Sequence, residues 1–295
     1  MMNLVVGATG LLGSEICRQL AEQGKPVRAL VRKTSGPNKI ENLKKSGAQL
    51  AYGDLKDKSS LDTACQGVTA VISTASSTFS RQEGDSIQTV DLEGQIHLID
   101  AAQAAGVQQF ILISFVKDPA FPFPLSEAKS KVENHLKNSG MTYTILEANF
   151  FMEVWLSDAL GFDAVHATAR IYGEGQPKIS WISYLDVAKF AVAVLDNPHA
   201  QNTVIQVGGP EALSPLEVVK IFEETDKKPF TVEHIPVEAL QAQKENAPDP
   251  LQESFAALML GYAYGNPMDM RQTLQTYPVQ MMTVRDYAKN VLASS

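Results

Sequence analysis

Three glycines near the start of the chain have the spacing of a phosphate-binding loop. Gly7, Gly10 and Gly13 are each three residues apart, in the order Gly-Ala-Thr-Gly-Leu-Leu-Gly. The first would let the chain turn sharply, the second would let a ligand approach the backbone, and the third would let a helix pack closely on a strand. The N–H groups and the dipole at the start of that helix would attract an anion. The residues predicted to bind a pyrophosphate are Gly7, Thr9, Gly10, Leu11, Leu12 and Gly13.

The elements on either side of this loop are those that a dinucleotide-binding fold requires. Short, continuously apolar runs are typical of a parallel sheet that is covered on both faces. Between these runs the apolar residues recur with a helical period, as Leu12, Ile16 and Leu20 do. This alternation predicts βαβ units with right-handed crossovers, and therefore an α/β fold of Rossmann type with a doubly wound parallel sheet. The runs predicted as strands are residues 4–6, 27–31, 49–52, 70–73, 110–114 and 142–146.

The end of the second predicted strand indicates which dinucleotide is bound. A cofactor without a 2′-phosphate usually meets an Asp or Glu about 20 residues beyond the glycines. This chain has Arg32 and Lys33 at that point and no acid. A guanidinium binds a phosphate through paired hydrogen bonds, whereas a carboxylate would repel it. We therefore predict NADP(H) in preference to NAD(H). The alternative is that both cations are simply solvated.

Two further loops follow strands that would flank the first one. Asp54 and Leu55 come after the third predicted strand, where an Asp could accept a hydrogen bond from the adenine amine. A turn formed by Gly53 and Asp54 is the alternative explanation of this pair. Ala75 and Ser76 come after the fourth strand, and their small side chains suit a close approach of the backbone to the nicotinamide-side ribose.

The two halves of the chain differ in regularity. Residues 1–150 are predicted to form the NADP-binding Rossmann domain, and residues 151–295 a smaller, less regular substrate-binding lobe. Elements from about residue 181 to 210 are expected to return to the first domain. Four prolines within residues 229–251 predict a surface excursion there.

Composition excludes several classes of function. The chain has 295 residues, a hydrophobic fraction of 44% and a net charge of −8, which disfavours binding to nucleic acid or to an anionic membrane. Cys17 and Cys65 form no CxxC motif, and the five histidines lack metal-ligand spacing. We therefore expect two buried thiols, no metal and no membrane segment. We also expect a cytoplasmic protein whose partner is a small-molecule substrate.

Several segments occur together in an order that is specific to one family. The chain resembles the NmrA-like branch of the atypical short-chain dehydrogenase/reductases, which includes isoflavone reductase-like enzymes and quinone reductases. The resemblance is good from residue 3 to the region of residue 195 and looser beyond it. The segments that carry it are GATGLLG, VRALVR, GDL, HLIDAAQAAGVQQFILIS, AKSKVENHLKNSGMTYTIL and FFMEVWL.

The resemblance implies roles for several further residues. Lys129 matches the family's lysine near the nicotinamide ribose, and it is predicted to bind the cofactor and to act in catalysis. Ser114 aligns with the serine of short-chain dehydrogenases, where it would polarise a substrate oxygen, although a serine at a strand end can also be purely structural. The tyrosine of those enzymes is replaced by Leu125. A proton would then come from water, the lysine or the substrate.

A second departure from the family pattern lies beside the expected substrate cleft. The usual Arg-Pro after the sixth strand is replaced by Glu147 and Ala148, which removes a cation. Asn149 and Phe150 remain candidates for the wall near the nicotinamide.

Two functions fit these features. The first is an NADPH-dependent oxidoreductase that transfers hydride to a small apolar or aromatic electrophile such as a quinone, dye or conjugated carbonyl. The alternative is a non-catalytic NADP(H)-binding redox sensor that acts on a protein partner. Neither the substrate nor the oligomeric state can be predicted from the sequence.

Overall fold

The structure is a computed structural model that describes residues 1–79 and 81–293. Contacts between residues divide the chain into two compact units. The first unit comprises Met1–Glu147 and Val187–Ile205. The second comprises Ala148–Asp186 and the chain from Gln206 onward. The chain therefore leaves the first unit after its sixth strand and returns to it for one helix and one strand.

Within the described residues, one sheet has seven strands in the order β3-β2-β1-β4-β5-β6-β9, and another has the order β10-β8-β7. The first six positions of the large sheet follow the strand order of a Rossmann fold, so the predicted α/β doubly wound sheet is confirmed. The strands are β1 (Asn3–Val6), β2 (Val27–Val31), β3 (Gln49–Tyr52), β4 (Ala70–Ser73), β5 (Gln109–Phe115), β6 (Thr142–Ala148), β7 (Phe162–Asp163), β8 (Thr168–Tyr172), β9 (Thr203–Val207) and β10 (Thr231–Ile235).

The helices connect these strands, and a π-helical segment, Ile87–Gly94, precedes the fourth of them. No helix of the described residues is long and apolar enough to cross a membrane. The helices are α1 (Leu11–Glu22), α2 (Pro37–Lys45), α3 (Lys58–Ala64), α4 (Gln95–Ala104), α5 (Pro124–Lys137), α6 (Met152–Trp155), α7 (Tyr184–Ala193), α8 (Pro215–Asp226), α9 (Val237–Glu245), α10 (Pro250–Tyr264), α11 (Arg271–Thr276) and α12 (Val284–Ala293).

The centre of the large sheet determines where a ligand can bind. Strand β1 is parallel to both β2 and β4, with Val5 opposite Ala29 on one side and Ile72 on the other. All residues of β1 and β4 are buried, whereas β3, at the sheet edge, is partly exposed. The connections from β1 and from β4 leave this point in opposite directions along the sheet, which is the switch point where dinucleotides bind in such folds.

The segment predicted as a surface excursion has regular secondary structure. Residues 229–251 include β10 and α9, β10 pairs with β8, and nearly all of the side chains are exposed or half-buried. The prolines lie at the ends of elements: Pro236 is the N-cap of α9, and Pro250 is in the first turn of α10. Proline is compatible with these positions because they need no intrahelical N–H donor. The segment therefore lies at the surface, as predicted, and the prolines mark the ends of its elements.

Both cysteines are buried, as predicted, and neither forms a disulfide. Burial raises the pKa of the Cys17 thiol to about 12 and that of Cys65 to about 11. Because the thiolate is the reactive form, we expect neither residue to be alkylated by iodoacetamide in the folded protein at mildly alkaline pH. Mass spectrometry would detect the label, and the chain unfolded in guanidinium serves as the reactive control. Rapid labelling of Cys17 in the folded protein would contradict its buried position.

Candidate functional site

The three glycines form a tight turn between β1 and α1. Gly7 has a φ of +82°, and the N–H of Gly10 donates to its carbonyl oxygen at 3.0 Å. A Cβ on Gly7 would lie 2.5 Å from Thr74 Oγ1, and a Cβ on Gly13 would lie 2.3 Å from the Gly7 oxygen. Residues with side chains cannot occupy these two positions without movement of the backbone. The structure therefore requires glycine at the places where the sequence predicted it.

The same loop presents backbone donors to solvent. Helix α1 begins after Gly10, which has no side chain to cap the first turn. Leu11 is exposed, Leu12 is buried and Gly13 has no side chain, so the polar groups that these residues can offer a ligand are their backbone N–H groups. Thr9 is half-buried in the turn. Because the exposed Gly10 has no side chain to obstruct a ligand, the arrangement fits a pyrophosphate held by main-chain amides.

The loop after β4 lies against the glycine turn. A Cβ on Gly7 would meet the Ala75 nitrogen at 2.9 Å, which shows how closely the two segments approach. Gln95 fixes this loop, because its amide donates to the Ala75 oxygen at 3.0 Å. Ser76 makes a 3.3 Å hydrogen bond with Thr78. The structure thus brings Ala75 beside the predicted pyrophosphate loop, at the carboxyl ends of adjacent strands.

The predicted 2′-phosphate ligand has an acidic neighbour that the sequence analysis missed. Arg32 follows β2, and its Nη1 lies 2.6 Å from Asp85 Oδ2. The ammonium of Lys56, which follows β3, pairs with the other oxygen of the same carboxylate. Asp85 is 53 residues from Arg32 in the chain, so no local pattern could have revealed the pair. Lys33, the next residue in the chain after Arg32, is exposed.

The predicted adenine contacts after β3 have defined conformations. An Asp54 carboxylate oxygen accepts from the Lys56 N–H at 2.9 Å, which makes a local turn. The Asp54 N–H in turn donates to Ser60 Oγ at 3.0 Å. Leu55 packs in the hydrophobic core, and a Cβ on Gly94 would lie 2.7 Å from its Cβ. Leu55 therefore offers a ligand only its backbone, while Asp54 keeps a partly exposed carboxylate.

Lys129 lies in α5 and forms a buried ion pair. Its ammonium is 3.4 Å from Asp91 Oδ1, and the side chains are 5% and 0% exposed. The other oxygen of Asp91 accepts from the N–H and the hydroxyl of Ser77, at 3.0 and 2.6 Å. Asp91 belongs to the π-helical segment, a form of helix that is frequent at functional sites. Since a buried charge needs a partner, Asp91 holds the Lys129 ammonium in place. At the family's tyrosine position, Leu125 is buried.

Ser114 lies at the end of β5 in a second buried network. Its hydroxyl donates to Glu133 Oε1 at 2.6 Å. The Lys117 ammonium lies 2.6 Å from the same oxygen and 2.8 Å from Glu147 Oε1. Lys117 thus supplies a cation beside Glu147, where the family pattern has an arginine at position 147 itself. The three charged side chains are at most 12% exposed and carry two negative charges to one positive.

Replacing Lys117 with methionine is expected to destabilise the protein by about 2 kcal/mol, because two buried carboxylates would lose their common donor. Chemical denaturation measures this loss. In the double variant Lys117→Met/Glu147→Gln, one of the orphaned charges is removed, so part of the stability should return. Lys131→Met, at an exposed position, is the control. A single variant as stable as the wild type would show that the network contributes nothing.

Asn149 and Phe150 belong to the second unit, where both have structural partners. The side-chain amide of Asn149 donates to the backbone carbonyl oxygen of Asn266 at 2.8 Å, and the backbone N–H of Asn149 donates to the carbonyl oxygen of Val207. The ring of Phe150 packs edge-on against Trp155, with centroids 4.8 Å apart. Their roles beside a nicotinamide remain predictions.

The sequence pattern does indicate two of the buried polar residues that the sequence analysis missed. Asp91 and Gln95 precede Leu98 and Ala102 at helical spacing, so two polar residues interrupt an apolar face. Polar residues at such positions are buried and need partners, which is what Asp91 and Gln95 have. Lys117 and Asp85 lie in loops, where no periodicity indicates burial. Among the residues that the structure describes, no group of three or more His, Cys, Asp or Glu side chains could hold a metal ion.

Comparison with known proteins identifies relatives along nearly the whole chain. The pattern of the NmrA-like family matches residues 3–288. NAD(P)H azoreductase from Xenophilus azovorans is 32% identical over 282 residues, which cover 94% of this chain and 92% of that protein. The photosystem II assembly factor Ycf39 from Guillardia theta is 32% identical over 241 residues, with coverages of 81% and 75%.

Solved structures show the same fold. The NADPH-dependent quinone oxidoreductase QOR2 from Escherichia coli, complexed with NADPH, aligns with a TM-score of 0.79. The alignment covers 99% of this chain and 100% of that one at 23% identity. At this level of identity the likeness extends to the arrangement of strands and helices.

Proposed function

Because the chain belongs to the NmrA-like family, we propose that it is an NADPH-dependent reductase that transfers hydride to a small apolar or aromatic electrophile. Membership in this family is the relationship that the sequence motifs predicted. The observation that carries the proposal is the glycine turn: two of its glycines tolerate no Cβ, and the turn opens directly into α1. Such a turn, followed at once by the N-terminus of a helix, suits a pyrophosphate.

The preference for NADP(H) has two supports. Arg32 and Lys56 bring two cations to the ends of β2 and β3, where the adenosine ribose lies in Rossmann folds. Two similar proteins support the preference for NADP(H): one is named an NAD(P)H azoreductase, and the solved quinone oxidoreductase is a complex with NADPH.

NADPH, when bound, supplies a hydride, so the acceptor gains two electrons and needs one proton. The residues of the chain position the cofactor and the acceptor for this transfer. The amides of the glycine turn would bind the pyrophosphate, and Lys129, held by Asp91, would donate hydrogen bonds to the nicotinamide ribose. Ser114 lies at the carboxyl end of β5, and its hydroxyl would polarise an acceptor oxygen by exchanging its hydrogen bond to Glu133 for one to that oxygen. Because Leu125 replaces a tyrosine, the proton would come from water, from Lys129 or from the acceptor itself.

The charges near Ser114 narrow the class of acceptor. Glu133 and Glu147 are two carboxylates that share the cation Lys117 near the carboxyl end of β5. A carboxylate on the acceptor would be repelled by this excess negative charge. We therefore propose a neutral acceptor, such as a quinone or a conjugated carbonyl, rather than an acidic one.

The test is NADPH oxidation by the wild-type protein against a panel of neutral quinones, dyes and enones, with carboxylated analogues as matched controls. Turnover of neutral acceptors at more than ten times the rate of their carboxylated analogues is the expected result, since one charge repulsion of about 1.4 kcal/mol is a tenfold effect. Faster turnover of the acidic analogues would contradict the proposed acceptor class.

A non-catalytic sensor is the second candidate, and one observation favours it. A relative named as an assembly factor is as similar to this chain as the azoreductase is, at 32% identity. Tight NADPH binding without turnover of any acceptor would support this function, in which the bound cofactor changes the affinity for a protein partner.

A further inference from the structure

The carboxylate of Asp85 lies between the two cations that face the predicted 2′-phosphate position. Arg32 Nη1 is 2.6 Å from one of its oxygens, and the Lys56 ammonium pairs with the other. The Gln82 N–H donates to the same carboxylate at 2.9 Å. The Asp85 side chain is 1% exposed, while those of Arg32 and Lys56 are 24% and 28% exposed. The acid is therefore enclosed, and the cations reach both it and the solvent.

The carboxylate is ionised in this setting. Burial alone would raise the pKa of Asp85, but hydrogen bonds from Lys56, from the Gln82 N–H and from Arg32 hold the pKa below its ordinary value. Asp54 Oδ2 also lies 3.5 Å from the Lys56 ammonium, so two carboxylates match the two cations. A 2′-phosphate would therefore bind by taking over the hydrogen bonds that Asp85 receives from Arg32 and Lys56.

The group is also in the right place. Strands β2 and β3 are neighbours in the large sheet, with Val31 opposite Tyr52 at their carboxyl ends. Arg32 and Lys56 follow these ends, on the side of the sheet where the first turn binds the pyrophosphate. Each oxygen of Asp85 is bound by a different cation, and two oxygens of a phosphate monoester could take the same hydrogen bonds.

We propose that Lys56 and Asp85 together set the dinucleotide preference: Lys56 is a second cation for the 2′-phosphate, and Asp85 competes with that phosphate for Arg32 and Lys56. The proposal rests on the proposed function, because it requires that the chain binds NADP(H). On this proposal, the preference for NADP(H) over NAD(H) depends on how strongly the Asp85 carboxylate and the 2′-phosphate each bind Arg32 and Lys56. It does not depend on Arg32 alone.

The test compares two probes that differ only in the 2′-phosphate, 2′,5′-ADP and 5′-AMP, by calorimetric titration. Lys56→Gln should weaken 2′,5′-ADP binding about tenfold, the loss of one charge-assisted hydrogen bond, and leave 5′-AMP binding unchanged. Asp85→Asn should strengthen 2′,5′-ADP binding by about the same factor, because the competing charge is gone while an oxygen remains for the Gln82 N–H.

Matched controls are available in α3. Lys58 and Asp62 form an exposed ion pair, so Lys58→Gln and Asp62→Asn change the net charge equally at a site away from Arg32. Both should leave the ratio of the two dissociation constants at the wild-type value. Because this ratio is compared within one variant, a general loss of structure affects both probes alike.

Either of two results would overturn the proposal. The first is a Lys56→Gln variant whose ratio equals that of the wild type. The second is an Asp85→Asn variant that binds 2′,5′-ADP no more tightly, which would make Asp85 only a structural anchor for its loop. A wild-type protein that binds neither NADP⁺ nor NAD⁺ would instead refute the proposed function itself, and that result is read before any variant is made.

Discussion

Replacing Gly13 with alanine is expected to abolish tight dinucleotide binding, with a rise of about a hundredfold or more in the dissociation constant of NADP⁺. The added Cβ would lie 2.3 Å from the Gly7 oxygen and 2.7 Å from its carbonyl carbon. No rotamer relieves a clash with backbone, so either α1 or the turn must move. Overpacking of this kind costs about 1–3 kcal/mol, and the turn that moves is the one that holds the pyrophosphate.

The matched control is Gly36→Ala. Gly36 is the N-cap of α2, has a φ of −59°, and has no heavy atom within 4 Å of an added Cβ. The Gly36→Ala variant should bind NADP⁺ with the dissociation constant of the wild-type protein. Thermal unfolding of both variants separates lost binding from lost fold. A Gly13→Ala protein that is folded and binds NADP⁺ normally would show that the turn is not the pyrophosphate site.

Lys129→Met is expected to lower the turnover of a good acceptor about a thousandfold, the size of a lost positioning and proton-handling group. The same change leaves Asp91 as a buried charge without its cation, which should destabilise the protein by about 3 kcal/mol. Denaturant unfolding and NADPH oxidation, measured on the same preparation, give the two effects separately.

A double variant distinguishes a functional role of Lys129 from a structural one. In Lys129→Met/Asp91→Asn the orphaned charge is removed, and the amide oxygen can still accept from Ser77. Stability should largely return, whereas turnover should stay low. Lys131→Met, at an exposed position of the same helix, should change neither quantity. Recovery of turnover together with stability would mean that Lys129 serves only to balance Asp91.

The parts of the molecule that local sequence determines were predicted well. Strand β1, the glycine turn and α1 follow from an apolar run, three spaced glycines and a helical stripe, because each signal lies within a few residues of its effect. The strand predicted over residues 110–114 is observed as Gln109–Phe115 for the same reason. The conformation of the turn is likewise dictated by contacts of Gly7 and Gly13 with nearby backbone.

The electrostatic part of the site could not be predicted in this way. Asp85 reaches Arg32 across 53 residues, and Lys117 reaches Glu147 across 30. These pairs depend on how loops return to the carboxyl edge of the sheet, which no periodic pattern encodes. The prolines near α9 correctly indicated a surface segment but did not reveal the strand within it, because the pairing of β10 with β8 joins residues far apart in the chain.

The central claim is that the turn between β1 and α1 binds a dinucleotide, with cations beyond β2 and β3 that favour a 2′-phosphate. Calorimetric titration of the wild-type protein with NADPH and with NADH tests it most directly. We predict saturable heat with NADPH and a dissociation constant about tenfold or more below that of NADH, the contribution of charge-assisted bonds to the phosphate. Absence of saturable heat with either nucleotide at millimolar concentration would contradict the claim.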